Sequence, residues 1–87
     1  IMTEEVKQKD REISKNIKDS IKNMDGDNVD TKSLARQMHQ DGLGGRHYIK
    51  QRLHTSREWI VENSDVESFV KNDNTGGNDT RYWKVEE

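Results

Sequence analysis

A chain of 87 residues with 28% hydrophobic and 37% charged content can build one small domain around a modest core. It contains no Cys, which excludes a disulfide framework and thiolate metal sites, and it has no apolar run near the roughly 18 residues that suggest a membrane helix. The formal charge of −2 is unevenly spread: residues 31–57 carry six Lys/Arg against the single Asp41, and each flanking segment holds eight Asp/Glu.

Residues 3–24 hold the longest helical pattern. Ile13, Ile17, Ile21 and Met24 recur at helical spacing, Val6 extends the stripe backwards, and charges of both signs cover the other faces. Thr3, Glu4 and Glu5 suit the positive end of a helix dipole. From Ile13 onward the stripe is expected to pack as core. Residues 1–10 read as a flexible or partner-binding extension, and the length of the helix also suits a dimer seam. Asp25-Gly26-Asp27-Asn28 then ends the helix as a turn. It is not a calcium loop, because Val29 stands where an oxygen ligand is required and no acid closes the loop. Val29 is better suited to a one- or two-residue strand leading into a helix cap at Asp30 or Thr31.

The spacing predicts a second helix over residues 31–40, with Leu34, Ala35 and Met38 inward and Lys32, Arg36 and His39 on its polar sides. Asp41-Gly42-Leu43-Gly44-Gly45 follows as a turn in which glycine can supply positive φ. A third helix over 45–55 puts Tyr48, Ile49 and Leu53 on an apolar stripe. It displays His47, Lys50, Gln51 and His54 opposite, with Arg46 and Arg57 at its ends. Lys and Gln suit guanine and adenine edges in a major groove. Arg46 stands near a helix N-terminus, where backbone N–H groups favour phosphate. His47 and His54 are two turns apart, about 10 Å along the axis, too far to chelate one ion. No nucleophilic triad or phosphate-cradling loop appears, so neither an enzyme nor a cofactor is expected.

Beyond Arg57, the runs Trp59-Ile60-Val61, Phe69-Val70 and Tyr82-Trp83-Lys84-Val85 read as strands. A polar, glycine-bearing loop, flexible over 72–80, lies before the last of them. That last run pairs in a hairpin with either 68–71 or 59–62. Residues 63–80 are open between a strand, a short helix at 65–70 and a loop. Alternation turns Trp83 and Val85 toward the core. Lys71 and Arg81 stand at the hairpin base, where they could touch a phosphate and where Asp73 and Asp79 oppose them. Asn78-Asp79-Thr80 has the form of a glycosylation sequon, read as chance in a chain without a secretory signal. That same lack points to an intracellular setting, cytoplasmic or nuclear, and the Ile before Met suggests a fragment of a larger protein.

Leu34-Ala35-x-x-Met38, the turn Gly42-Leu43-Gly44, the Ile49-x-x-x-Leu53 pair and the strands after them resemble the winged helix-turn-helix DNA-binding domains. The resemblance implies an α/β, mainly α fold: one winged-helix domain over 1–87, a three-helix bundle with a small C-terminal β-hairpin wing. It implies a non-catalytic module for double-stranded DNA, with the helix at about 45–55 in the major groove and the helix before it across the phosphates. The expected DNA contacts are Lys32, Arg36, Arg46, His47, Lys50, Gln51, Arg52, His54, Arg57 and Arg81, with no metal. The basic centre agrees, since local potential steers a polyanion more than net charge does. Such modules are often appended to larger replication, recombination or transcription proteins. The alternative is a winged-helix module for protein interaction or homodimerisation, working through residues 3–24 and the acidic last third. Single-stranded nucleic acid is a third partner, through stacking on Tyr48, Trp59, Tyr82 and Trp83.

Overall fold

In the computed structural model, which describes residues 3–26, 28–72 and 77–86, the chain begins with helix α1, Glu4–Lys22. Thr3 caps it, its hydroxyl oxygen accepting from the Val6 N–H at 3.2 Å, and Glu4 and Glu5 fill the first turn. Ile13, Ile17 and Ile21 are buried on one stripe, with Met24 packed against the same cluster. Strand β1 (Val29–Asp30) leads directly into α2 (Thr31–Gln40), followed by α3 (Arg46–Thr55), α4 (Arg57–Glu62), β2 (Val66–Asn72) and β3 (Asp79–Val85). Of the two cap candidates, Asp30 is the one used: its carboxylate accepts from the Ser33 N–H at 3.2 Å. Asp30→Ala should therefore destabilise the fold by about 1 kcal/mol in a urea titration. A loss below about 0.3 kcal/mol would mean that the cap is dispensable.

The sheet is antiparallel with strand order β1-β3-β2. Val66 lies opposite Val85 and Asn72 opposite Asp79, so the hairpin partner of β3 is the segment containing 68–71. Trp83 is fully buried and Val85 is half-buried against the core, as the alternation predicts. On the outer face Phe69 stacks on Tyr82, with centroids 5.9 Å apart, and Lys84 pairs with Glu67 at 2.9 Å. Trp83 Nε1 donates to Thr31 Oγ1 at 2.9 Å, which ties the central strand to the start of α2. The loop expected over 72–80 lies, at 73–76, outside the described residues, as do Asp27 of the predicted turn and the first two residues of the N-terminal extension.

Two expectations are corrected. Trp59-Ile60-Val61 is not a strand but the body of α4, so the helices number four among the described residues. The helical ladder runs on through the bend at Ser56: its N–H donates to the Arg52 carbonyl at 2.8 Å, and the Ile60 N–H donates to the Ser56 carbonyl at 2.9 Å. Ile60 then falls in helical register with buried Ile49, Leu53 and Ser56, and its burial outweighs the weak strand preference of branched and aromatic residues. The helix ends at Asn63, whose side-chain amide donates to the Trp59 carbonyl at 2.8 Å. Tyr48, placed on an inward stripe by its spacing, is 36% exposed. Every helix and strand contributes to one hydrophobic cluster, in which Ile17, Leu34, Leu53 and Trp83 are fully buried.

Candidate nucleic-acid interface

The turn between α2 and α3 is held from several directions. Asp41 ends α2 and its carboxylate accepts from Ser20 Oγ at 2.7 Å and Gln37 Nε2 at 3.0 Å. Gly42 (φ +85°) and Gly44 (φ +126°) occupy backbone conformations that L side chains rarely adopt. Lys9 reaches across from α1, its Nζ donating to the Leu43 carbonyl at 2.7 Å while remaining 3.3 Å from Glu12. His39 Nδ1 donates to the Gly44 carbonyl at 2.7 Å, an arrangement that requires the proton on Nδ1. The direction in which α3 leaves the turn is thus set by α1 as well as by the glycines.

Within α3, Ile49 and Leu53 turn inward, and His47, Lys50, Gln51 and His54 are exposed on the opposite side, with Arg46 exposed at the start. The helix contains no acidic residue, and among the described residues neither Arg46 nor Lys50 reaches a carboxylate. Lys32 and Arg36 are exposed on α2 and likewise have no carboxylate partner among those residues. Glu58 and Glu62 are exposed on α4, which follows α3 in the chain.

Arg52 is the exception among the cations expected to meet DNA. It is only 7% exposed, and its Nε and Nη2 donate to the Asp10 carboxylate at 2.9 and 3.0 Å. Nη2 also donates to Ser56 Oγ at 2.6 Å, and the Ser56 hydroxyl donates in turn to Asp10. Hydrogen bonding to Asp10 holds the Arg52 pKa above its ordinary value, against the lowering effect of burial. Arg52 therefore fastens α3 to α1 and is not available to a phosphate. Spacing carried a signal for this: Arg52 lies three residues after Ile49, on the buried side of α3, and Asp10 lies three before Ile13 on the buried side of α1.

Arg81 is carried by β3 of the hairpin. Arg81 is half-buried on the helix-facing side of β3, two residues from Trp83, and its Nη1 donates to Ser68 Oγ at 3.0 Å. Burial and then the charge of Arg57, half-buried at the first residue of α4, lower the Arg81 pKa. Lys71 is exposed near the end of β2 and Asp79 is exposed at the start of β3, whereas Asp73 lies outside the described residues.

The aromatics expected to stack on single strands do not form a common platform. Trp83 belongs to the core and Tyr82 is stacked on Phe69, which leaves Tyr48 and the 41% exposed Trp59 on the helices. Among the described residues no group of three or more His, Asp or Glu could hold a metal ion, and no helix is long and apolar enough to cross a membrane. No protein-family model matches this chain, and no curated protein or solved structure matches it either.

Proposed function

We propose that this chain is a winged-helix module that binds double-stranded DNA without catalysis, placing α3 in the major groove and using the β2–β3 hairpin as its wing. The observation that carries the reading is the exposed face of α3, where Arg46, His47, Lys50, Gln51 and His54 stand together on a helix free of acidic residues. The element order and the strand order β1-β3-β2 are compatible with a winged-helix layout. Lys50 and Gln51 are the side chains suited to base edges. Lys32 and Arg36 on α2, and Arg46, Arg57 and Arg81, are suited to phosphates, where each contact releases condensed counterions.

The test is fluorescence anisotropy with a labelled random-sequence duplex at two salt concentrations, for the wild type and for Arg46→Glu combined with Lys50→Glu. Wild-type affinity should fall with salt at a log–log slope near −0.9 per phosphate contact. The double variant should bind roughly 100-fold more weakly. A wild-type chain that does not bind duplex, or binds it without salt dependence, overturns the reading. A folded chain of that kind would instead direct the basic face toward an acidic protein partner.

A further inference from the structure

The two edges of the sheet are unequal. One, β1, is two residues long and runs directly into α2. The other, β2, is seven residues long and pairs with β3 residue by residue without a bulge. An edge of that kind is a template for a further strand unless something covers or blunts it. The Glu86 N–H donates to the Asp65 carbonyl at 2.8 Å, which fixes the parity of the ladder. Glu67, Phe69 and Lys71 therefore direct their backbone groups toward β3, and Ser68 and Val70 direct theirs outward. Among the described residues no hydrogen bond reaches the outward N–H and C=O groups of Ser68 or Val70. Val66 is fully buried, so the open part of the edge begins at Glu67.

The side chains of this edge complement a second copy of the same edge. Glu67, Phe69 and Lys71 share the outer face. Antiparallel pairing of two β2 strands about a two-fold axis at Phe69 sets each Glu67 opposite the partner's Lys71. It also sets Phe69 opposite the partner's Phe69, at a non-hydrogen-bonded position where side chains approach most closely. Ser68 and Val70 then exchange their outward backbone groups with the partner's Val70 and Ser68. Phe69 already stacks on Tyr82 at 5.9 Å, so the aromatic row would continue across the junction. Moving the axis one residue either way sets Phe69 opposite Glu67 or Lys71 and loses both charge pairs. A lysine on an edge commonly discourages pairing, but here Glu67 supplies its counter-charge. Glu67 holds Lys84 at 2.9 Å with its side chain still 44% exposed, within reach of a second cation. Val70, 47% exposed, would be covered by the same pairing. Helix α1 offers no competing seam, since Ile13, Ile17 and Ile21 are buried in the core.

We propose that the β2 edge is a self-pairing surface, through which two copies of this chain join antiparallel about Phe69 and merge their sheets into one. The charge pattern of residues 67–71 identifies the partner as a second copy, because the segment is complementary to itself when reversed. The surface lies on the hairpin and not on α3, and the proposal does not rest on DNA binding. Pairing over residues 67–71 makes a small interface, so a dimer with a Kd of roughly 100 µM is expected.

The experiment is sedimentation velocity without nucleic acid, from roughly 10 µM to 1 mM protein, on the wild type, Val70→Pro and Lys71→Glu. The wild type should pass from monomer toward dimer across that range. Val70→Pro removes an outward N–H and sets a ring on the edge while sparing the bonds to β3, so it should stay monomeric throughout. Lys71→Glu sets like charges opposite each other at both Glu67 positions and should weaken the dimer roughly tenfold or more. Lys71 is exposed, so this variant should keep the wild-type circular dichroism and decides the matter if Val70→Pro does not fold. A wild type that is monomeric at every concentration overturns the proposal and would direct the edge toward an extended segment of another protein. A dimer that neither variant weakens overturns the assignment to β2. Loss in Val70→Pro with undiminished dimerisation in Lys71→Glu overturns the register about Phe69.

Discussion

Trp83→Ala is expected to abolish cooperative unfolding or to remove most of the stability of the domain. Trp83 is fully buried and sits on the central strand, opposite Val29 on one side and Ser68 on the other. Truncating a buried aromatic to Ala removes about 3–5 kcal/mol. A domain of this size has roughly 4–13 kcal/mol in total. The substitution also takes away the indole N–H that donates to Thr31 Oγ1, loosening the joint between β3 and α2. Urea denaturation followed by circular dichroism reads the effect, with Phe69→Ala as the comparison. Phe69 stacks on Tyr82 on the outer face, and that cross-strand pair is worth about 1 kcal/mol. If Trp83→Ala were no worse than Phe69→Ala, the placement of Trp83 at the centre of the core would be wrong.

Asp10→Ala should be nearly as damaging, for an electrostatic reason. It leaves the Arg52 guanidinium buried without the carboxylate that accepts from Nε and Nη2. Breaking a buried ion pair on one side removes about 3–5 kcal/mol, whereas replacing both partners with apolar residues of similar volume is often neutral or stabilising. Asp10→Leu combined with Arg52→Met should accordingly recover most of the loss in the same urea titration. A double variant as unstable as Asp10→Ala would show that the attraction between the two charges, and not only the penalty of separating them, holds α1 against α3. The network matters beyond stability because Arg52 lies in the same helix as Lys50, Gln51 and His54.

Helices α1, α2 and α3 were legible in the residues because their determinants lie within a turn of one another. Thr3 and Asp30 cap through bonds spanning three residues, and the Ile13, Ile17, Ile21 stripe declares its buried face by spacing alone. The inward turn of Trp83 followed from alternation in the same way. Trp59-Ile60-Val61 misled because side-chain shape favours a strand there, while the burial of Ile60 beside Ile49 and Leu53 depends on the assembled core. Arg52 misled because its charge suggested solvent, and the carboxylate that permits its burial is 42 residues away on α1. The grouping of Lys50, Gln51, His47 and His54 on one exposed face was visible in the helical period; that Arg81 donates to Ser68 was not, since it requires the β2–β3 register.

By itself, then, the sequence determined the first two helices, a short first strand of one or two residues at Val29, the inward side of the last strand and the basic face of α3, all of which follow from neighbours within a few residues. Tertiary structure decided that α4 is helical, that Arg52 is bound to Asp10 and that Arg81 donates to Ser68. Burial and charge pairing depend on which distant residues share a place in the fold, and desolvation acts on that place, whatever the distance along the chain.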